Sequence, residues 1–436
     1  MRYAEHYQAA ALNLPGQDLP WLSRLRAQAA DIFAAGGFPS LREEEWKYTP
    51  VAALEKKLFK PGETAASASL DPARLERWRL PEAWSLVFID GLFAPGLSRL
   101  EGLPQGVIVA SLAAALSDCP EQVAAAFNQV AGRESHGFIA FTTAYFRDGA
   151  FVSVPAGVAL AKPLQVLHFS TQNDGLAALR HVYALGNHAE ASVVETYAGL
   201  DDAAYLTSAV SEISLGENAA LTHHKLQAES GKAYHFGGIY ADLARAARFR
   251  QHHAAFGGLL ARTEIHSALG QGAECELDGL FLATGRRHLD THALIRHQAP
   301  RGYSRTDYRG IAADRARGVF SGRIVVAKDA QKTDAELNCR NLLLSADAEI
   351  DGKPQLEIHA DDVKCAHGVT VGQLDPQSVF YLQSRGVDEA SARNMLTFAF
   401  ANALAENIRL DGLKRQVREA LLAALPQAGI RGDWLL

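Results

Sequence analysis

The spacing of apolar positions divides the chain into helical ends and a strand-rich middle. Residues 1–60 carry a helical period, which places Trp21, Leu22, Leu25 and Phe33 on one face before the stop at Gly36. From about residue 137, short apolar runs alternate with Gly, Asn and Asp turns, as in consecutive strands. Helical spacing returns after Asp375. The pattern predicts a central β region between helical segments.

The strand region contains a weak internal repeat, in which a Leu-Gly turn and an alanine precede an alternating strand. Copies begin at Leu185, Leu215, Leu243 and Leu269, at steps of 30, 28 and 26 residues, and a degenerate copy begins at Leu344. Such copies cannot bury their apolar faces alone, so the repeat predicts a stacked β-solenoid. An antiparallel sandwich or barrel is the alternative. A solenoid also has an open end that must be capped or paired.

Three helices are predicted after the strands. Asp375 followed by proline, and then Asp388, are N-cap signals, and "LDGLKRQVREALLAAL" is a third amphipathic helix. The division that follows is a helical domain at 1–80, a β core at 81–365 with a mixed α/β entry segment to about 136, and a helical domain at 366–436. This last unit has the size of a docking module.

The composition of the chain argues against several classes of function. The 436-residue chain is 48% hydrophobic and has a net charge of −6, which disfavours nucleic-acid binding because that needs a concentrated basic surface. No apolar run reaches the roughly 20 residues that span a bilayer. Four cysteines are too few for a disulfide framework, and the N-terminus lacks the apolar core of a signal peptide, so we expect a cytoplasmic protein. No phosphate-binding loop is present, so the chain should not hydrolyse ATP itself.

The stretch "ADDVKCAHGVTVG" at 360–372 holds the main candidate chemistry. Cys365 and His367 are two residues apart, so in an extended strand they leave on the same face. With His359 they offer a thiolate and imidazoles, which suit zinc, iron or an iron–sulfur cluster. The set is too small for a closed zinc site. It predicts either no metal or a site completed by another chain, and Cys339 lies near the same end of the repeat.

Two histidine pairs, "THHK" and "RQHHAA", form a second candidate. His224 and His252 lie at the same offset from their repeat leucines, so they should stack on neighbouring coils. A ladder of polar side chains is the favoured interpretation and a metal pair the alternative. Cys119 and Cys275 are interpreted as small core residues.

Three motifs resemble the SufB/SufD family of the Suf iron–sulfur cluster assembly system. They are "EEEWKYTP", "AYFRDGAFVSVPAGVALAKPLQVLH" and "KPQLEIHADDVKCAHGVTVGQLDPQSVFYLQSRGVDEASARNML", and the resemblance covers nearly the whole chain. It implies a mainly β fold, a right-handed parallel β-helix core flanked by N-terminal and C-terminal α-helical domains. Gly368 follows His367 where SufB members have glutamate, so the chain is similar to the SufD branch.

The resemblance implies a non-catalytic scaffold that pairs with SufB, while each of the two binds one copy of the ATPase SufC. His367 would face SufB where a nascent cluster forms, Cys365 is its motif neighbour, and His359 is a weaker candidate. Cys339 lies near the position of an essential SufB cysteine. We expect no tightly bound cofactor in the isolated chain, and iron or a nascent Fe–S cluster in the complex.

The C-terminal helices would bind SufC. Its candidate contact residues are Phe380, Tyr381, Arg385, Met395 and Phe398. The isolated chain should form a homodimer, because the pairing edge would otherwise be unsatisfied. Two other functions are considered, a stand-alone β-helix carbohydrate-active enzyme and a purely structural partner without ligand.

Overall fold

Alternating apolar positions from residue 150 onward form parallel strands of about ten residues, which stack as the repeat predicts. The computed structural model describes residues 14–62, 70–133 and 136–425. Its centre is a β-solenoid of about eight turns, flanked by N-terminal and C-terminal helices. Each turn contributes one strand to each of two ten-stranded sheets, here called sheet A and sheet B. The predicted fold class is confirmed.

The strands are numbered along the chain. Sheet A contains β1 (Lys60–Pro61), β4 (Ile108–Ser111), β5 (Ala150–Val154), β7 (Gly175–Leu185), β9 (Leu206–Leu215), β11 (Tyr234–Leu243), β13 (Leu260–Leu269), β15 (His288–His297), β17 (Arg317–Val326) and β19 (Glu349–Ile358). Sheet B contains β2 (Trp84–Ile89), β3 (Leu92–Phe93), β6 (Leu164–Ser170), β8 (Glu190–Gly199), β10 (Ala220–Ala228), β12 (Arg248–Ala255), β14 (Glu274–Ala283), β16 (Tyr303–Ala312), β18 (Asp334–Leu343) and β20 (Lys364–Gln373).

Nine α-helices flank these sheets in the described part of the chain. They are α1 (Pro20–Gly36), α2 (Ala52–Lys56), α3 (Pro72–Glu76), α4 (Leu112–Asp118), α5 (Pro120–Ala126), α6 (Gly137–Tyr145), α7 (Pro376–Ser384), α8 (Glu389–Ala405) and α9 (Asp411–Ala424). Three short 3₁₀ helices lie at Glu44–Trp46, Pro95–Leu97 and Ala131–Arg133. Asp375 and Asp388 cap α7 and α8 through their side chains, as predicted. None of the described helices has the length and apolar character needed to cross a bilayer.

The repeat leucines lie in register along sheet A. Leu185 pairs with Leu215, Leu215 with Leu243, and Leu243 with Leu269. The drift in repeat length is therefore absorbed in the turns, and the strand register is preserved. The predicted fifth copy at Leu344 is wrong, because this leucine follows β18 in sheet B and lies half a turn out of phase. Its turn resembles the others in sequence because both corners of a coil use similar turn residues.

Both outer faces of the solenoid are covered. Residues 44–49 and α6 pack on sheet A, where Trp46 and Phe138 share an apolar cluster with Phe236 of β11. The helices α8 and α9 pack on sheet B, where Phe398 and Leu421 belong to the same cluster as the strand residues. The first turns end in the antiparallel strands β3 and β4. In the described chain, β19 and β20 have a neighbouring strand on one side only, so the opposite end is open.

The predicted boundary at residue 365 falls inside β20, which continues to Gln373. The sequence placed it too early because "CAHGVTVGQ" carries no long apolar run. Predictions for the extreme N-terminus and for residues 63–69 lie outside the described residues.

Candidate functional site

The last coil exposes side-chain positions that are buried in the coil before it. On β18, Leu337 and Cys339 point into the core, with about 1% of each residue exposed. Their register partners on β20 are His367 and Val369. These positions continue the inner face of the solenoid, yet no further described coil covers them, and His367 is exposed. At the open end, side chains that continue the inner face of the solenoid are therefore accessible to solvent.

Cys365 and His367 share this face, as their spacing predicted. In an extended strand, residues two apart lie roughly 7 Å apart along the chain. Cys365 is half-buried and packs against the core cluster, in register with Ala335. Burial, followed by the charge of Asp334, raises the pKa of the Cys365 thiol, so the neutral thiol is favoured in this chain alone.

Cys339 and His359 stand apart from this pair. Cys339 is a buried core residue whose Sγ donates a 3.4 Å hydrogen bond to Oδ1 of Asn341. Burial raises the pKa of its thiol to about 12. His359 is exposed at the end of β19, where its N–H donates to the Val326 carbonyl. No three Asp, Glu, His or Cys side chains converge on a metal position anywhere in the described ranges.

The five residues proposed for ATPase docking divide into two groups. Phe380 and Tyr381 of α7 are 70% and 57% exposed, and Arg385 donates a 3.1 Å hydrogen bond to the Tyr381 hydroxyl. Met395 is half-buried on α8. Phe398 is buried in the cluster that joins α8 and α9 to sheet B. Phe398 is therefore not part of an exposed docking surface. The prediction included it because helical spacing alone does not distinguish the solvent face of α8 from its buried face.

The histidine pairs behave as the ladder interpretation predicted. The rings of His224 and His252 stack at 4.8 Å with a 12° interplanar angle. They lie on the outer face of sheet B beneath α8 and α9, and Nδ1 of His252 is 3.6 Å from Asp278. Their neighbours His223 and His253 point into the solenoid instead. Cys275 is fully buried, as predicted, and Cys119 lies half-buried between α4 and α5.

A polar cluster that was not predicted from the sequence lies inside the first coils. Tyr183 and Tyr197 donate hydrogen bonds of 2.9 and 2.8 Å to the Glu195 carboxylate. Ser211 donates a third, of 2.6 Å, and Nε2 of His223 lies 3.2 Å from the same carboxylate. Burial disfavours the carboxylate, but the hydrogen bond with His223 helps to hold the pKa of Glu195 well below its usual value. Polar residues at alternate, inward positions of "VVETY" and "THHKL" were the available signal.

The second missed feature is an ionic network beneath the "EEEWKYTP" motif. The Arg262 guanidinium lies 3.7 Å from the Trp46 ring centroid and donates to Glu264 at 2.7 Å and to Asp290 at 2.8 Å. Thr49 donates a 2.5 Å hydrogen bond to Asp290. The motif therefore fixes the N-terminal segment to sheet A. Pairing with strands more than 200 residues away cannot be inferred from local spacing.

Comparison with known proteins agrees with this architecture. The model described as "SUF system FeS cluster assembly, SufBD core domain" matches residues 168–400, and "SufBD protein N-terminal region" matches residues 1–166. The chain belongs to the SufBD family of iron–sulfur cluster assembly proteins.

Individual relatives support the same assignment. The chain is 33% identical over 397 residues to the iron–sulfur cluster assembly protein SufD of Escherichia coli, covering 89% of this chain and 90% of that protein. It is 34% identical over 413 residues to a SufBD family protein of Synechocystis, covering 91% and 89%. A SufD of Bacillus subtilis is 27% identical over 296 residues, covering 65% and 66%.

Proposed function

We propose that this chain is a non-catalytic scaffold subunit of the Suf complex that pairs with SufB through its open end. The observation that carries the proposal is the last coil, where His367 and Val371 occupy inner-face positions and are exposed. Val371 is 46% exposed and Ile358, at the end of β19, is 41% exposed. A second β-solenoid placed against this end would bury these side chains and pair the free edges of β19 and β20.

His367 is the residue we assign to iron or a nascent cluster at that junction. It is exposed on the partner-facing surface, and an imidazole is a suitable ligand for iron. The chain alone supplies too few ligands, so the remaining ones would come from SufB. Cys365 is the second candidate because it shares the strand face. Cys339 and His359 are given no direct role, since one is buried in the core and the other lies on the opposite sheet.

The ATPase SufC would bind α7 through Phe380, Tyr381 and Arg385, with Met395 at the margin. Two large exposed aromatic side chains on one short helix are typical of interface anchors. When SufB is absent, the same open end would pair with a second copy of the chain and give a homodimer. All four cysteines are free thiols, which is consistent with the reducing cytoplasm.

A second candidate, a structural partner without a ligand, is supported by the raised pKa of Cys365 and by the small ligand set. The decisive experiment places His367→Ala in a strain that depends on the Suf system, with exposed Lys364→Ala on the same strand as the control. Co-purification of SufB and SufC establishes whether each variant still assembles. The proposal predicts an intact complex and lost cluster maturation only for His367→Ala. Normal maturation would favour the purely structural role, and failure of wild type to co-purify either partner would refute the scaffold function.

A further inference from the structure

Residues 44–49 form a segment, called here the strap, that lies across several strands of sheet A. Trp46 packs on Phe236 of β11 with ring centroids 6.2 Å apart, and on Arg262 of β13. Thr49 bonds to Asp290 of β15. At the other end, Nζ of Lys353 on β19 lies 2.8 Å from the Glu44 carboxylate. One short segment therefore contacts the outermost strands of sheet A up to the open edge.

The inner end of the strap is held by buried groups. Trp46 is 3% exposed and stacks on Phe138 at 5.3 Å. Arg262 also donates a 2.7 Å hydrogen bond to the Glu45 carbonyl, which ties the strap backbone to the same guanidinium that bonds Glu264 and Asp290. A buried cation with two carboxylates and a stacked indole fixes one geometry, since any shift leaves a charge without its partner.

The outer end of the strap contacts the strands through partly exposed ion pairs and one pair with buried His292. Oε1 of Glu45 lies 3.9 Å from Arg323 of β17, and Oε2 lies 3.4 Å from Nδ1 of His292 on β15. The Glu44–Lys353 pair is the contact with β19 itself. Other charge pairs on this face, such as Arg323 with Glu357, join β19 only to the adjacent strand.

The last strand of a solenoid needs such support. Each coil contacts only its neighbours, so the terminal coil opens first. The strand β19 carries Gly352 in its interior, and glycine weakens a strand because it has no side chain to pack and loses more backbone entropy on folding.

We propose that the strap is a positioning element for the partner-facing edge, with Glu44 and Lys353 as its outermost positioning residues. It holds β19 in extended geometry, ready to pair with a partner strand. The inference rests on the proposed function only in taking the open end as the pairing surface. The effect of the strap on β19 is a property of the chain alone, so it can be tested without any partner.

The test is a charge swap followed by amide hydrogen exchange. Glu44→Lys and Lys353→Glu are measured singly and together in the full chain, at a dilution where light scattering gives the mass of a single chain. Each single variant is expected to accelerate exchange of the β19 amides about two- to five-fold, the range for one partly exposed ion pair. The double variant should return the rates toward wild type, and amides of β7 and β9 should not change.

Asp329→Lys is the matched control, because it makes the same charge change at an exposed turn residue next to β17. It should leave β19 exchange at the wild-type rate. Unchanged β19 exchange in both single variants, or a double variant no better protected than the singles, would overturn the strap. Failure of wild type to pair with SufB would instead count against the proposed function and would leave the exchange result standing.

Discussion

His367 stands directly beside Leu337 in the last parallel strand pair of sheet B. One position holds a buried leucine and the next an exposed histidine, although both continue the same inner face. A polar histidine at a position that is apolar in the preceding coil is explained if the surface of another protein packs against this end of the solenoid. This relationship predicts different roles for the two residues: Leu337 should contribute to the stability of the chain, and His367, under the proposed function, to its assembly.

We expect His367→Ala to leave the stability of the isolated chain nearly unchanged, within about 0.5 kcal/mol, because the side chain is exposed. Leu337→Ala at the neighbouring position should cost about 2–5 kcal/mol, since it opens a cavity in a packed core. Urea unfolding of both variants checks the contrast. A large loss for His367→Ala would mean that the side chain is covered within the single chain.

Thiol reactivity should separate the cysteines. Cys365 is half-buried at the open end, whereas Cys275 and Cys339 are buried and burial raises the pKa of each thiol to about 12. Alkylation at pH about 8 followed by mass spectrometry should label Cys365 well before these two. Binding of SufB should slow labelling of Cys365. Half-buried Cys119, far along the chain from the open end, is the internal reference and should not change.

The two groups of helix residues should give opposite phenotypes. Replacing Phe380 and Tyr381 together by serine should leave unfolding unchanged and weaken binding of the ATPase, because both side chains are exposed. Phe398→Ala should cost about 3–5 kcal/mol, because it removes a buried ring from the packing against sheet B. Thermal unfolding and a pull-down with SufC distinguish the two. Intact binding by the double serine variant would move the docking surface elsewhere.

Arg262 should be among the most sensitive positions of the contact between the N-terminal segment and sheet A. Arg262→Ala removes the guanidinium that bonds both buried Glu264 and buried Asp290, and breaking such a buried pair costs about 3–5 kcal/mol. Arg317→Ala removes a half-exposed arginine that pairs with Glu349 on the same sheet, and should cost less than about 1 kcal/mol. Denaturant unfolding measures both. Equal losses would mean that the network contributes no more than a surface ion pair.

The same network predicts a pH dependence. Burial works against a protonated His292, but Asp290 and then Glu45 outweigh burial and raise its pKa above the usual value, despite the opposing charge of Arg262. The folded state therefore binds this proton more tightly than the unfolded chain does. The resulting stability is complete below about pH 6.5 and is lost as the pH rises through the folded-state pKa.

His292→Gln should remove that contribution. The stability difference between wild type and variant should therefore shrink as the pH is raised from about 6 to about 8.5. Chemical unfolding of both proteins at several pH values provides the measurement. A difference that grows with pH would have the wrong sign for a raised pKa.

The fold was largely predictable because the repeated residues within each copy of the repeat also determine how neighbouring strands pair. Leu185, Leu215 and Leu243 could be aligned by eye, and they pair in sheet A. The repeat copy at Leu344 was assigned to the wrong position in the coil, because the residues of a corner turn do not show whether the preceding strand belongs to sheet A or to sheet B. The spacing of Cys365 and His367 gave their shared face, but their exposure depends on where the solenoid ends, which β20 determines.

The parts that sequence missed depend on distant contacts. Nothing near "EEEWKYTP" indicates that Trp46 will meet Arg262, and nothing in "VVETY" indicates that Glu195 will meet Ser211 and His223 inside the solenoid. For Phe398, helical periodicity gives a face but not the neighbour that covers it. These residues became interpretable only once the coils were stacked.

The covering of both outer faces has a consequence for growth. A bare stack of parallel strands could add units indefinitely, as a filament does. Here the first turns finish in the short antiparallel strands β3 and β4, so the long parallel strand edges left free among the described residues are those of β19 and β20. Under the proposed pairing at that end, each chain is monofunctional in the language of polymer chemistry, and the first encounter there also ends growth. A stoichiometry of two solenoids then needs no counting mechanism.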